Sequence, residues 1–263
     1  MKGIILAGGT GTRLLPLTSV LSKQLLPVYD RPMIFYPLNT LISAGIRDIL
    51  IIVSPEYSGH FLNLLGSMFQ PHGVNISFVV QKRPGGLPEA FILGEDFLDG
   101  GPSALVLGDN IFEDEFSDAI RSFESGGRVF AKEVSDPERF GVVEFDPESK
   151  RVISIEEKPK EPKSNFAIPG LYLYDGRAPE IASGLTPSER GELEIVDMHR
   201  AYLEGGELDV RTIEGAWFDA GTHDSLLDAS VYVKKGDFRS RFHPIVNEAI
   251  AEFNTEFKRL VSL

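Results

Sequence analysis

The sequence contains no cysteine, so a disulfide framework and a thiolate metal site are both excluded, and the chain fits a reducing compartment. It has no run approaching the ~18 apolar residues of a membrane-spanning helix. The apolar stretch from Gly3 to Ala7 is too short for a secretory signal and passes at once into glycines. Positive charge is scarce: 26 Lys and Arg stand against 39 Asp and Glu, a formal net charge of −13. Such a surface repels phosphate backbones at long range and argues against nucleic acid as a partner. Neither membrane nor nucleic acid is expected to bind, and the expected location is the cytoplasm. Any anion site has to be a local gathering of Lys, Arg and backbone N–H groups against the overall field. The five histidines (His60, His72, His199, His223 and His243) show no metal-ligand spacing and read as structural or exposed.

What is present is a large apolar complement. Of 263 residues, 42% are hydrophobic and 18 are Phe, enough for a sizeable core. Near-continuous apolar runs at 2–7, 48–54, 75–80, 103–109 and 127–134 read as strands buried on both faces. Helical patterns at 33–45, 59–69, 88–98 and 115–125 alternate with them. Pro37 inside the first of these implies a kink or a late start. This alternation predicts right-handed crossovers and a Rossmann-like, mostly parallel sheet flanked by helices. After Ser135 the pattern changes. "FGVVEFDPESKRVISIEEKP" reads as a hairpin turning at "DPESK". A strand at 170–175, a helix at 191–206, a strand at "ELDVRTI" and a helix at 223–235 follow. The expectation is one α/β domain, 1–263, with an antiparallel β insertion. Its parts are 1–134, 135–230 and a helical tail, 231–263. In that tail Val246, Ile250, Phe253, Phe257 and Leu260 form an amphipathic stripe, suited to packing on the body or to a subunit contact.

The glycine cluster in "GIILAGGTGTRLLP" follows the first strand. The dinucleotide fingerprint needs G-x-G-x-x-G, but after Gly9 and Gly11 the third position is Leu14. Asp30, about twenty residues on, lies in a turn and not at a strand end. The P-loop needs a Lys directly after its glycines, and none follows. "AGGTGTR" alone is equally a tight turn or an anion site. Arg13 and Lys23 favour the second: with the loop amides they can bring two cations and several donors to one polyphosphate. Two basic residues in a loop are also commonly just solvated charges.

"GIILAGGTGTRLLPLTSVLSKQLLPVYDRPMI" resembles the sugar-1-phosphate nucleotidyltransferases, and most of all the short forms of the glucose-1-phosphate thymidylyltransferases. The resemblance runs from Lys2 to about Ser230, through "ALVLGDN", "FGVVEF", "EEKP", "GLYLYD", "GELEI" and "WFDAGTHDSL". It implies that Leu6, Gly8, Gly9, Thr10, Gly11, Thr12, Arg13, Lys23 and Gln24 hold a nucleoside triphosphate. It also implies that Gln81 and Gly86 read a pyrimidine, whose carbonyl and N–H edge suits a glutamine amide. Asp109 ends a predicted parallel strand, where ligands gather in open α/β sheets, although a turn Asp reads the same way. By resemblance Asp109 and Asp219 hold a metal. Hard carboxylate and phosphate oxygens favour Mg2+. Asn110, Gly141, Glu157, Lys158 and Ile168 are implied at the sugar phosphate, with Lys158 on its phosphate. A charged run such as "SIEEKP" is otherwise a solvated strand end, and the antiparallel insertion is implied to form this sugar site.

The implied reaction transfers a thymidylyl group from dTTP to glucose 1-phosphate and releases pyrophosphate, as in the biosynthesis of dTDP-sugars and cell-surface polysaccharides. The attacking phosphate oxygen is already anionic, so no general base is needed. Arg13, Lys23, Asp109 and Lys158 would act by positioning and charge neutralisation. A homo-oligomer, dimer or tetramer, is implied too. Several residues depart from the family pattern: Phe140 for Tyr, Val196 for Thr, His199 for Asn, Ala220 for Thr, and Pro88-Glu89 for Ala-Gln. The lost hydroxyls bear on which sugar is used. Longer members continue into a helical tail tied to subunit packing and a regulatory nucleotide site, so the resemblance leaves feedback through such a site open here. Open alternatives are a uridylyltransferase, a transferase for another hexose phosphate, and a non-catalytic nucleotide-sugar sensor.

Overall fold

The computed structural model describes residues 1–236 and 238–262, without the side chains of residues 239, 240, 260 and 261. The apolar runs form the strands expected of them. Lys2–Ala7, Asp48–Val53 and Ser103–Leu107 lie side by side and parallel, with Lys2–Ala7 between the other two. Asn75–Val80 adds a fourth parallel strand beyond Asp48–Val53. Alternate residues of one strand serve two cores. Ile49, Ile51 and Val53 join the larger cluster on one face of the sheet. Leu50 and Ile52 join the smaller cluster on the other. Both clusters are closed by helices, which is why these runs are apolar throughout and not alternating. Asn75–Val80 departs from the expectation of burial on both faces: its burial alternates and Val80 is 41% exposed. It is the last strand at its end of the sheet and has one neighbour only.

The sheet has ten strands among the described residues. Its second half is reorganised relative to simple parallel alternation. Leu171–Tyr174 runs antiparallel between Ser103–Leu107 and Gly127–Glu133. The strand Leu208–Thr212 pairs parallel with Gly127–Glu133 as a side branch. The expected hairpin is formed by Gly141–Phe145 and Val152–Glu157, and Phe166–Ala167 joins it to the sheet. The antiparallel insertion is therefore an extension of the central sheet, continuous with it through backbone pairing.

Helix boundaries shift where glycine and proline act. The first helix is Phe35–Ser43, the late start that Pro37 requires, with the proline in its first turn where a missing N–H is tolerated. The expected helix over 88–98 is two short ones, Glu89–Leu93 and Glu95–Leu98, broken at Gly94. A Cβ at Gly94 would lie 3.2 Å from Ile4 and 3.3 Å from Leu50, so this glycine lets the break settle close on the sheet. The helix expected over 191–206 begins only at Ile195, which leaves Leu193 and Glu194 extended. The tail helix runs Pro244–Val261, and Val246 and Ala249 are buried in the larger core. Farther along, Phe253 stacks on Phe257, which is 56% exposed. Leu260 lies in this helix, but its side chain is outside those described.

Candidate active site

The carboxyl ends of the parallel strands open into a cavity of about 570 Å³. From Lys2–Ala7 the chain presents Leu6, and the loop beyond it presents Gly8, Gly9 and Thr10. Gly9 has φ +103°, a conformation only glycine takes easily. Arg13, Lys23 and Gln24 line the same wall. Gln24 is buried, and its Oε1 accepts from Ser22 Oγ at 2.6 Å. Gly11 and Thr12 do not line the cavity. Gly11 has φ +60° and caps a short turn, and its carbonyl accepts from Thr18 Oγ1 at 2.8 Å. These two residues hold the shape of the loop from behind.

Asp109 follows Ser103–Leu107, as expected of a residue at a strand end. Asp219 is brought to it by an element the sequence did not suggest, a two-stranded ribbon of Asn110–Phe112 and Trp217–Asp219. Its register sets Asp219 opposite Asn110, and the Ala220 N–H donates to the Asp109 carbonyl at 2.9 Å. Burial raises the Asp109 carboxyl, but the Lys23 ammonium beside it, with hydrogen bonds from Lys23 and Asn110, holds it below the ordinary range. Burial pushes Asp219 the other way, upward, and the negative charge of Asp109 adds to that. Arg13 completes the group. A Cβ at Gly221 would fall 2.6 Å from Arg13 Nη2 and 3.0 Å from Asp219 Oδ1, so both groups close over a glycine. The two carboxylates and two cations, far apart in sequence, form one cluster, in which Asp109 is buried, Lys23 and Asp219 are partly buried and Arg13 is exposed.

Asn110 is a bracket in this structure. Its Oδ1 accepts from the Gly170 N–H at 2.9 Å and from Trp217 Nε1 at 2.7 Å, and its Nδ2 donates to Asp109 at 3.1 Å. Trp217 packs on Phe140, ring centroids 5.1 Å apart. These aromatics line the cavity at the end where Trp217 meets Asn110. Glu157, Lys158 and Ile168 lie at that end too. Lys158 has φ +43°, strained for a residue with a side chain, and its N–H donates to Phe140 C=O at 3.0 Å. Its ammonium pairs with Glu157 at 3.2 Å. Gly141 stands behind this wall without lining the cavity. Its carbonyl accepts from the Ile168 N–H at 2.7 Å, and a Cβ on it would come 3.3 Å from the Glu157 carboxylate.

Gln81 and Gly86 line the remaining side. Gly86 has φ +95°, and a Cβ there would lie 2.0 Å from Leu193 O, so this backbone approach requires glycine. The Leu193 N–H donates to Gly85 C=O at 2.9 Å and ties the loop after Gln81 to the segment before Ile195. That segment supplies site residues that sequence reasoning missed. Arg190 pairs with Glu194 at 2.8 Å, and both face the cavity. Burial raises the Glu194 carboxyl, but bonds from Arg190 and Ser188 outweigh this and lower it. Tyr172 was also missed; its phenol is buried and driven up by that burial, with Glu157, Asp109 and Asp219 adding to it. The four-residue spacing of Arg190 and Glu194 is visible in the sequence, but sequence reasoning assigned neither residue to the site.

The model of the nucleotidyl transferase family matches residues 2–236. The chain belongs to the nucleotidyl transferase family. A glucose-1-phosphate thymidylyltransferase of Xanthomonas campestris pv. campestris is 52% identical over 95% of this chain and 86% of its own. One from Neisseria meningitidis is also 52% identical, over 95% of this chain and 88% of its own. Among solved structures, a Bacillus anthracis protein assigned as a glucose-1-phosphate thymidylyltransferase, with sucrose bound, matches with TM-score 0.86. It is 43% identical over 94% of this chain and 99% of its own. A UDP-glucose pyrophosphorylase holding UDP-glucose matches at TM-score 0.77 and 25% identity, over 89% of this chain and 98% of its own. As expected of a member of this family, the chain has a mixed α/β fold with a large, mostly parallel central sheet.

Proposed function

We propose that this nucleotidyltransferase transfers a thymidylyl group from dTTP to glucose 1-phosphate, giving dTDP-glucose and pyrophosphate. The observation that carries the reading is the meeting in one cavity of the glycine loop, Arg13, Lys23, Asp109, Asp219 and Lys158. The relatives named for this reaction support the choice of substrates. Gly8, Gly9 and Thr10 offer the loop against which the triphosphate lies, with Arg13 and Lys23 as its counter-charges. Gln81 and Gly86 face the pyrimidine. Glu157 accepts from sugar hydroxyls, and Lys158 holds the sugar phosphate. The nucleophile carries its own negative charge, so the residues here orient and neutralise and do not remove a proton.

The chemistry of the donor set fits a divalent cation, proposed as Mg2+. Buried Asp109 and partly buried Asp219 are close enough to feel each other's charge, and the upward push of Asp109 on Asp219 is negative charge that a cation would offset. Among the described residues no third His, Cys, Asp or Glu joins them. That suits an ion held by one or two carboxylates together with substrate phosphates and water. When bound it would neutralise phosphate oxygens and hold them in line.

The reading extends to a cytoplasmic homo-oligomer, a dimer or tetramer. The apolar Phe253 and Phe257, toward the free end of the tail helix, support a subunit contact; sedimentation measures it. The activity is tested by Mg2+-dependent pyrophosphate release over a panel of triphosphates and sugar 1-phosphates. dTTP with glucose 1-phosphate is expected to be fastest. Faster release with UTP, or with another hexose 1-phosphate, would move the donor or the acceptor. Silence across the panel with nucleotide-sugar binding retained would make the chain a sensor.

A further inference from the structure

Gln81 sits at the end of Asn75–Val80, where its N–H donates to Val53 C=O at 2.9 Å and its side chain is buried. A glutamine amide is ambiguous as a reader. Turned one way it presents an acceptor, and turned the other way a donor. Here one partner removes the ambiguity. Gln81 Nε2 donates to Glu89 Oε2 at 2.5 Å. An ionised carboxylate only accepts, so the reversed amide would set two acceptors against each other with no proton between them. The orientation follows from the chemistry of Glu89 and is not a free choice.

The other end of the amide is open. Gln81 Oε1 accepts no hydrogen bond among the described residues and is not one of their sealed, unpartnered polar atoms. It points to the glycine loop, where a Cβ at Gly8 would stand 2.8 Å away. Glu89 has its own glycine: a Cβ at Gly85 would lie 2.2 Å from Glu89 Oε2. The absence of side chains at Gly8 and Gly85 thus leaves room for the two ends of one Glu89–Gln81 pair.

We propose that Glu89 is a specificity-determining positioning residue, fixing the Gln81 amide so that the pocket offers the base an acceptor oxygen. This rests on the reading that Gln81 faces the base. Thymine and uracil carry a donating N3–H on that edge. Cytosine carries a bare, accepting N3 there, so an oxygen aligned with N3 would meet a second acceptor, and cytosine could use it only by shifting to present its N4 amino group. The pair therefore selects thymine or uracil against cytosine, and it does so through a residue that need not touch the nucleotide.

The test is equilibrium binding of dTTP and dCTP, which share sugar and phosphates, to wild type, Glu89→Gln and Glu89→Ala. Wild type should favour dTTP by about tenfold or more, the scale of one unpaired buried polar group. In Glu89→Gln a second amide can pair with Gln81 in either orientation, so the preference should fall to about threefold or less, mainly by tighter dCTP binding. Glu89→Ala should lose it by freeing the amide. Glucose 1-phosphate affinity reports that each variant is folded, and the isosteric Gln variant decides if the Ala variant is not. Retention of the wild-type preference in Glu89→Gln overturns the proposal, as does a wild type with no preference. A Glu89-dependent preference without pyrophosphate release would overturn the proposed reaction and uphold this inference.

Discussion

The two ends of the cavity are built differently. At the glycine-loop end, Lys23 and Asp109 are paired with side chains only 17% and 9% exposed, Asp109 just past a parallel strand and Lys23 opening a short helical turn. At the hairpin end, Lys158 and Glu157 are 55% and 32% exposed, on an antiparallel extension of the sheet. Charge interactions are strong where water is excluded and weak where it is not. The Lys23–Asp109 pair of the glycine-loop end is therefore set before any ligand arrives. The charged groups of the hairpin end are still largely in water and gain strength as a ligand displaces it. One site combines a rigid electrostatic frame with a softer recognition surface.

The largest effect should come from the rigid end. Asp109→Asn is expected to lower kcat by about a thousandfold or more, the scale of losing a preorganised charge, with the far-ultraviolet spectrum unchanged. Near-normal turnover would break the contrast. Next is Gly221→Ala. Its methyl would collide with Arg13 and Asp219, and displacement of such groups by about 1 Å costs on the order of a hundredfold. Steady-state kinetics with little change in melting temperature would place the damage in the site. At the softer end, Lys158→Ala should raise KM for glucose 1-phosphate about tenfold and leave triphosphate binding nearly unaltered. Equal losses for both substrates would erase the distinction between the ends.

The smallest effect lies behind the hairpin end. His199 is fully buried and burial lowers it to about 3; Nδ1 meets Tyr174 Oη at 2.7 Å and Nε2 has no partner among the described residues. An unfolded histidine near 6.5 takes up a proton that the folded one refuses. Its stabilising contribution is then full above about pH 6.5 and is lost progressively as pH falls toward 3. Relative to His199→Asn, wild type should lose up to about 1.4 kcal/mol per pH unit more across that window, as read by urea unfolding. Parallel stability curves would remove His199 from the account.

Much of the frame was legible because continuous apolar runs and glycine punctuation are local signals. The strand Lys2–Ala7, its glycine loop and the hairpin at 141–157 all fall where those signals put them. The join between Asp109 and Asp219 was not legible from the residues. It depends on a ribbon of two three-residue strands, too short to show a period and distant in sequence. Leu171–Tyr174 looks like any buried strand, and its antiparallel direction follows from where the chain has already been. Ile195–Glu204 starts later than its pattern suggests because Leu193 is committed to the backbone of Gly85 and Gly86. The Glu89–Gln81 bond was hidden too, since a lone Glu at a helix start reads as ordinary surface charge.

The ribbon that carries Asp219 also bears on the timing of biosynthesis. A chain emerging from the ribosome exposes its glycine loop first and folds its early strands before its late ones. Asn110–Phe112 then waits for Trp217–Asp219, and the Asn110 amide has no indole to meet until the sole tryptophan has been made. A nascent chain released before residue 217 would contain every residue of the loop and yet lack half of the carboxylate pair. Competence is thus acquired in one late step, and the tryptophan fluorescence of that step offers a direct optical marker of it.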